Sequence, residues 1–501
     1  MQLILTSRPS LLVVALLVLS CCVVASEPVQ IGSRRELFVD DTLVERLYGQ
    51  AELRLHHPVP REVSLVHDAP WEGTASGSHT VFRDGERYRM YYRGWNFWFA
   101  TGMLHFNKAV TCYAESRDGI HWVKPELGLV EFGGSKKNNI IRTGMGTLNF
   151  APFVDENPDC APGARYKATA GVRADGGMFA LRSSDGLSWS KLVDHPVMTD
   201  GPFDAINLAF WDPTAQRYRA YRRWVLDGRR AIRTAWSRDM VTWNDPRDLS
   251  YVDSPKEQLY ESKVFPYHRA PHVLLGLPTR YLERQRGPAM RALPDQADRE
   301  ERSRISERFG TALTETLLMA SRDGVRFKRW NEGFLRPGIQ RPGTWQYGCQ
   351  HAAWQIVETR SSLKGAPPEL SIYAPERYWQ GPGGVLRRYT LRLDGFVSAS
   401  AGWKGGRLLT KPLVFAGEEL EVNMATSAAG SLRVALQTAA GETIPGLALD
   451  DCPPIFGDTV AHRVKWSGGK TLSRMSGKPV RLLFELRDAD LYSYRFVPSA
   501  K

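Results

Sequence analysis

The chain has 501 residues, 43% of them hydrophobic, and 66 Lys and Arg against 54 Asp and Glu give a formal charge of +12. That length exceeds what one core normally fills, so it predicts two domains or a repeat architecture. Basic and acidic residues are interspersed, with no concentrated basic stripe and no finger or helix-turn-helix pattern, which excludes nucleic acid as a partner.

Taken from its start, the chain opens with Arg8, an apolar run over residues 11–24 and the small-residue site Val24-Ala25-Ser26. Residues 1–26 read as a secretory signal peptide, because the apolar run is too short for a spanning helix. Val18-Leu19-Ser20-Cys21 is a poor match to a lipoprotein site. No other stretch could span a membrane, so a soluble chain that is secreted or periplasmic is expected. Its charge becomes +11 once Arg8 is removed. Cys112, Cys160, Cys349 and Cys452 remain, far apart and without C-x-x-C spacing. That spacing excludes a zinc site and a disulfide scaffold. One bridge and four buried thiols are both open.

Residues 36–41 (Glu-Leu-Phe-Val-Asp-Asp) read as a short strand of the kind that closes a ring by joining the last unit, with Asp40 and Asp41 capping the junction. A repeat follows. Ser116-Arg117-Asp118-Gly119-Ile120-His121-Trp122 recurs at Ser183 to Trp189, at Ser237 to Trp243 and, with a final Phe, at Ser321 to Phe327. In this frame Ser and Asp bond their own backbone, Gly takes the positive φ, and the aromatic pins the turn to the layer beneath. The first three boxes each follow an Arg-Tyr pair, at Arg87-Tyr88, Arg165-Tyr166 and Arg217-Tyr218, on an alternating strand after a hairpin turn. One unit is therefore hairpin, strand and box, and units this long read as propeller blades.

Blade one is expected over residues 70–122, blade two up to Trp189 and blade three up to Trp243. Blade four ends at Phe327 and contains a charged insertion near residues 283–308, a surface helix or a loop. Blade five runs from Gln350 to a decayed box, Leu393-Asp394-Gly395-Phe396. Beyond it the boxes stop and short alternating strands are separated by Gly and Pro turns, which reads as a β-sandwich. The predicted fold is all-β: a five-bladed β-propeller over residues 27–398, then a β-sandwich over residues 399–501.

With its signal segment, boxed five-unit propeller and C-terminal sandwich, the chain resembles the glycoside hydrolase family 32 and 43 superfamily. It is similar above all to family-32-like proteins of planctomycete-type bacteria. The resemblance implies a glycosidase whose acids sit at the starts of the innermost strands. Family 32 carries an Asn-Asp-Pro-Asn-type motif on blade one, which is absent here, as are Arg-Asp-Pro and Glu-Cys motifs. That departure counts against hydrolysis, and against sucrose or fructan cleavage most of all. The box of sialidase propellers places its aromatic five residues after the Asp, whereas here it is four.

Aligning the units on the implied strand starts selects the candidate site. Glu261 is the expected proton donor, flanked by Tyr260 and an apolar strand that would raise its pKa. Asp204 is the expected base, nucleophile or stabiliser, and Glu72 a third catalytic carboxylate. Glycosidic hydrolysis needs one carboxyl to protonate the leaving oxygen and one carboxylate as base or nucleophile. Asn149, Asn207, His79, His351, Arg280 and Trp71 are the expected sugar-binding residues. The aromatic run Trp95-Asn96-Phe97-Trp98-Phe99 reads as packing between blades ahead of a sugar platform. His56-His57 lacks acids at metal spacing, so no metal site and no cofactor are expected, a structural calcium ion being left open. The expected partner is a carbohydrate, an anionic one being compatible with the charge. The alternative class is a secreted carbohydrate-binding propeller without catalysis.

Overall fold

The structure is a computed structural model, and it describes residues 27–100 and 103–499. The expected signal peptide lies outside the described residues. The chain is mostly strand. Its centre is a succession of five sheets, antiparallel but for one parallel pairing in the fourth, each built largely from neighbouring strands in sequence. The first runs from Gly77–Asp84 through Arg87–Gly94 and Val110–Ser116 to Ile140–Thr143. The second begins at Ala151–Val154 and the third at Leu208–Asp212. The fourth has seven strands, and the fifth joins Val357–Thr359, Glu369–Glu376 and Val385–Arg392 to Val59–Val66 from the other end of the chain.

The repeated box has the expected turn chemistry in all four places. Asp118 Oδ1 accepts the backbone N–H groups of Ile120 (2.8 Å) and His121 (2.9 Å), while Gly119 N–H donates to Ser116 Oγ (2.9 Å). The Asp185, Asp239 and Asp323 turns repeat these bonds. Gly119, Gly186 and Gly324 have φ of +71°, +78° and +79°, the left-handed region that glycine adopts without steric cost. Three of the turns are also held by a tyrosine from an adjacent sheet. Tyr91 donates to the Gly186 carbonyl (3.0 Å), Tyr221 to that of Gly324 (2.8 Å), and Tyr373 of the fifth sheet to that of Gly119 in the first. The last contact, with Trp354 N–H donating to the His79 carbonyl (2.8 Å), bonds the fifth sheet back to the first.

Two expectations about the ends of the chain are corrected. The strand that completes the fifth sheet is Val59–Val66, not residues 36–41. Strands Val29–Gly32, Glu36–Leu37, Val44–Gly49 and Glu52–Leu55 instead join a ten-stranded sheet with the C-terminal strands, so the expected boundary at residue 398 does not separate the two units. The physical reason lies in Arg35 and Glu36. Buried Arg35 pairs with Glu421 (3.1 Å) and donates to Ser493 Oγ (3.0 Å) of the C-terminal sheet, while the buried Glu36 carboxylate pairs with Arg322 of the fourth sheet (2.9 Å) and with Arg34 (2.6 Å). Asp40 pairs with the same Arg322 (2.8 Å) and accepts from Thr42 N–H (3.0 Å), a capping role.

The charged insertion is helical, with segments Pro288–Arg291, Gln296–Ile305 and Glu307–Thr311. It buries two arginines. Arg302 donates to the Tyr378 carbonyl (2.8 Å), and Arg299 donates to the carbonyls of Gly310 (3.1 Å) and Trp345. The insertion thereby braces the two loops that carry Tyr347 and Tyr378 at the site described next.

Candidate active site

The segments leading into the first strand of each of the five sheets converge on one pocket, lined by His79, Arg93, Asn149, Asp204, Tyr260, Glu261, Lys263, Tyr347, His351 and Tyr378. The other ends of the same strands border a larger hollow of about 740 Å³, faced by Phe82, Phe153, Phe210, Phe265 and Trp354. Arg83, Glu156, His268 and Glu358 also line it. The backbone at the smaller pocket is strained. Ser78 in the first sheet and Phe203, Lys263 and Gln350 in the segments ahead of strands of the third, fourth and fifth have φ between +47° and +54°. Non-glycine residues held in this region cost about 1–3 kcal/mol each and cluster at functional sites.

Glu261 is buried in the pocket wall, its Oε2 lying 3.2 Å from Lys263 Nζ and 3.5 Å from His351 Nδ1. Burial pushes its carboxyl up, but Lys263 and His351 outweigh burial and hold it well below the usual carboxylate range. The expectation that apolar neighbours would raise this pKa is therefore corrected: Glu261 is an ionised carboxylate at neutral pH. Burial also lowers the Lys263 ammonium, with Glu261 opposing. Asp204 stands at the rim, its side chain 60% exposed, with Oδ1 2.8 Å from Arg223 NH1. Arg223 in turn lies over the Tyr260 ring at 4.5 Å.

His79 backs the pocket as one of a pair. His67 Nδ1 bonds the Gly384 carbonyl (3.0 Å), and the two Nε2 atoms of His67 and His79 are 3.0 Å apart. Burial pushes both rings down, His79 furthest, so both are neutral. A carbonyl can only accept, so His67 carries its proton on Nδ1 and accepts at Nε2. His79 then carries its proton on Nε2, and its Nδ1 is a bare acceptor. His351 Nε2 is buried with no hydrogen-bond partner among the described residues. Asn149 Nδ2 donates to the Phe203 carbonyl (2.7 Å), fixing the loop that carries Asp204.

The pocket thus gathers His79, Asn149, Asp204, Glu261 and His351, and four other candidates lie elsewhere. Glu72 sits behind His79, accepting from Tyr92 Oη (2.5 Å), Lys124 Nζ (2.6 Å) and Ala69 N–H (3.0 Å). Its oxygens are committed to those partners, so it holds structure. Trp71 Nε1 donates to Asn139 Oδ1 (2.7 Å), and its ring packs edge-on against Phe132. Arg280 is taken up by Glu315 (2.5 Å) and Glu257 (3.1 Å) in the fourth sheet. Asn207, buried, donates to the Ala205 carbonyl (2.7 Å) and accepts from Arg223 N–H (2.8 Å), so it positions the segment bearing Asp204 without lining the pocket.

The residues missed from sequence are Arg93, Lys263, Tyr347 and Tyr378. Lys263 had a signal: it is a cation two residues after Glu261 in the sequence. The tyrosines lie on loops without repeat pattern and are brought in by the helical insertion. Glu72→Gln is expected to leave kcat/KM within a few-fold of wild type while lowering stability by about 2 kcal/mol, because Lys124 loses its buried partner. Thermal melts beside initial rates check this, and a hundredfold rate loss at unchanged melting temperature would return Glu72 to the chemistry.

No protein-family model matches the chain. Among curated proteins it is 30% identical over 118 residues to uncharacterized protein Rv1502 of Mycobacterium tuberculosis, a stretch covering 22% of this chain and 32% of that one. The match thus spans about a third of the curated relative's length. Among solved structures the chain is similar to a glycosyl hydrolase from Bacteroides ovatus, with 13% identity over 72% of this chain and 93% of that one and a TM-score of 0.34. It is also similar to a fructofuranosidase from Schwanniomyces occidentalis complexed with fructosylnystose, with 10% identity, 87% and 96% coverage and a TM-score of 0.36. A family 32 β-fructofuranosidase from Bombyx mori gives 11% identity, 89% and 95% coverage and a TM-score of 0.36.

Proposed function

We propose that the protein is an exo-acting glycoside hydrolase whose five sheets are the blades of one five-bladed propeller. In this reading the ten-stranded sheet folds into a β-sandwich around its two long strands, Glu419–Thr438 and Pro479–Val497. The single observation that carries the proposal is the pair of carboxylates on one small polar pocket, Glu261 buried in its wall and Asp204 at its rim. The pocket's free volume of about 60 Å³ is small, which suits the end of a sugar chain entering from the mouth and not a chain passing through.

A terminal sugar seated in such a pocket directs its leaving group toward the mouth. The proton donor to the leaving oxygen therefore belongs at the rim, where Asp204 stands. The ionised Glu261 acts on the anomeric carbon as nucleophile, or through a water as base. The two roles are the reverse of those expected from sequence, and the charge of Glu261 is the reason. His79 Nδ1, His351 Nε2 and the hydroxyls of Tyr260, Tyr347 and Tyr378 bind sugar hydroxyls. These roles call on no cofactor, and the signal segment puts the enzyme outside the cytoplasm.

The test is a panel of oligosaccharides and aryl glycosides with single-sugar release as the readout. Asp204→Asn is expected to slow substrates with poor leaving groups by about 10²-fold or more, the scale of general acid catalysis. Aryl glycosides with good leaving groups are expected to lose far less. Equal losses on both would remove Asp204 as the donor. One observation favours the binding-protein alternative: both carboxylates are already ion-paired. Saturable sugar binding without product across the panel would decide for it.

A further inference from the structure

We infer that the sugar bound in this pocket carries an anionic group, a carboxylate or a sulfate ester, and that Arg93 receives it. The inference rests on the reading of the pocket as a sugar site and adds the class of sugar. The observation is a charge without a counter-charge. Arg93 is half-buried in the pocket lining. Its hydrogen bonds go to the Ala75 carbonyl (3.0 and 3.3 Å), the Leu148 carbonyl (3.5 Å) and the Tyr378 hydroxyl (3.3 Å), all neutral acceptors. No carboxylate lies within ion-pair distance of it among the described residues. The other charged groups of the lining are already paired, Lys263 with Glu261 and Asp204 with Arg223 from outside the lining. His79 is neutral. Arg93 is thus the cation of the lining that has no ion-pair partner among the described residues.

The guanidinium is also held ready. The Trp95 ring lies 4.9 Å from its centre, and the two carbonyls and the tyrosine hydroxyl fix its plane. Those contacts occupy Nε, both N–H directions of one terminal nitrogen and one of the other. One N–H remains for a ligand. A partly desolvated cation of this kind is satisfied by an anion and left uncompensated by a neutral sugar. Bracing of the Ala75 loop alone explains the carbonyl contacts. It does not explain why an arginine supplies them on a pocket wall without an acid nearby.

The test uses the mature chain and calorimetric titration with methyl glucuronide, methyl galacturonide and galactose 6-sulfate. The corresponding neutral methyl glycosides and inorganic sulfate run alongside. The wild-type protein is expected to bind at least one anionic sugar about 10- to 100-fold more tightly than its neutral counterpart, the scale of a charge-assisted hydrogen bond. The uronate and sulfate arms identify which anion it is. Arg93→Gln is expected to abolish the preference while leaving the weaker neutral binding in place, and Arg93→Lys to retain part of it. Thermal melts of both variants separate loop bracing from recognition, because bracing alone changes stability and not the anionic-to-neutral ratio. Equal affinity for anionic and neutral sugars, or a preference that survives in Arg93→Gln, would overturn the inference with the sugar site intact. Tight binding of inorganic sulfate without any sugar preference would make this an anion site only. Binding of no sugar of either kind would remove the sugar-site reading, and this inference with it.

Discussion

Glu261→Gln is expected to lower kcat/KM by about 10³-fold while sugar affinity changes only a few-fold. The amide keeps the shape of the carboxylate and can still bond a hydroxyl, but it cannot attack an anomeric carbon or take a proton from water. The same change has a structural consequence that must be separated from the chemical one. Lys263 is buried and Glu261 is its ion-pair partner, at 3.2 Å. Removing one partner of a buried pair leaves an uncompensated charge and costs about 3–5 kcal/mol. The single variant is therefore expected to melt well below wild type. Pairing it with Lys263→Met removes the stranded ammonium and should recover much of the melting temperature. Activity should stay low in the double variant, because the carboxylate is still missing. Recovery of activity together with stability would mean that Glu261 only holds Lys263 in place. Full activity in the single variant would remove Glu261 from the chemistry.

Asp394→Asn is expected to destabilise the whole chain by about 3–5 kcal/mol at neutral pH, the range for breaking a buried ion pair. Asp394 belongs to the decayed fifth box, which has no serine partner, and it does not serve its own turn as the other four box aspartates do. Fully buried, it accepts from Tyr267 Oη (2.8 Å) and Arg269 Nε (2.8 Å) of the fourth sheet. It also accepts from Ser493 Oγ (2.8 Å) of the C-terminal sheet and lies 3.2 Å from Arg35. One carboxylate thus joins the fourth sheet to the C-terminal sheet. Burial pushes its carboxyl up, but Arg35 and Arg269 outweigh burial and leave the pKa lowered. A depressed folded pKa contributes stability that is fully present above the unfolded value, about 3.9, and is lost as pH falls through the folded value. The difference in unfolding free energy between wild type and Asp394→Asn should therefore be constant from about pH 5 to 7 and shrink below about pH 4. Denaturant melts across that range check it. A difference that stays constant down to pH 2 would mean that the charge of Asp394 is not what the interface uses.

What the sequence determined by itself is what local chemistry determines. The box turns close through Ser, Asp and Gly within seven residues, so their pattern could be read directly, and their bonds are those the residue types require. The strands alternate with period two, and an all-β chain of repeated units follows from that. Because the units repeat, the starts of their inner strands could be aligned, and His79, Asn149, Asp204, Glu261 and His351, chosen that way, line one pocket. Tertiary structure decided the rest, because it depends on partners distant in sequence. The charge of Glu261 is set by His351, ninety residues on, as well as by Lys263. Arg93 reaches the pocket wall beside Tyr378, 285 residues away. Glu72 and Arg280 resemble free polar side chains in sequence and are consumed by Lys124, Tyr92, Glu257 and Glu315 only in the folded chain. The N-terminal strands pair with the C-terminal sheet, where buried Arg35 meets Glu421 and buried Glu36 meets Arg322 of the fourth sheet. A turn is satisfied by its own residues, whereas a buried charge is satisfied only by whatever the fold brings to it.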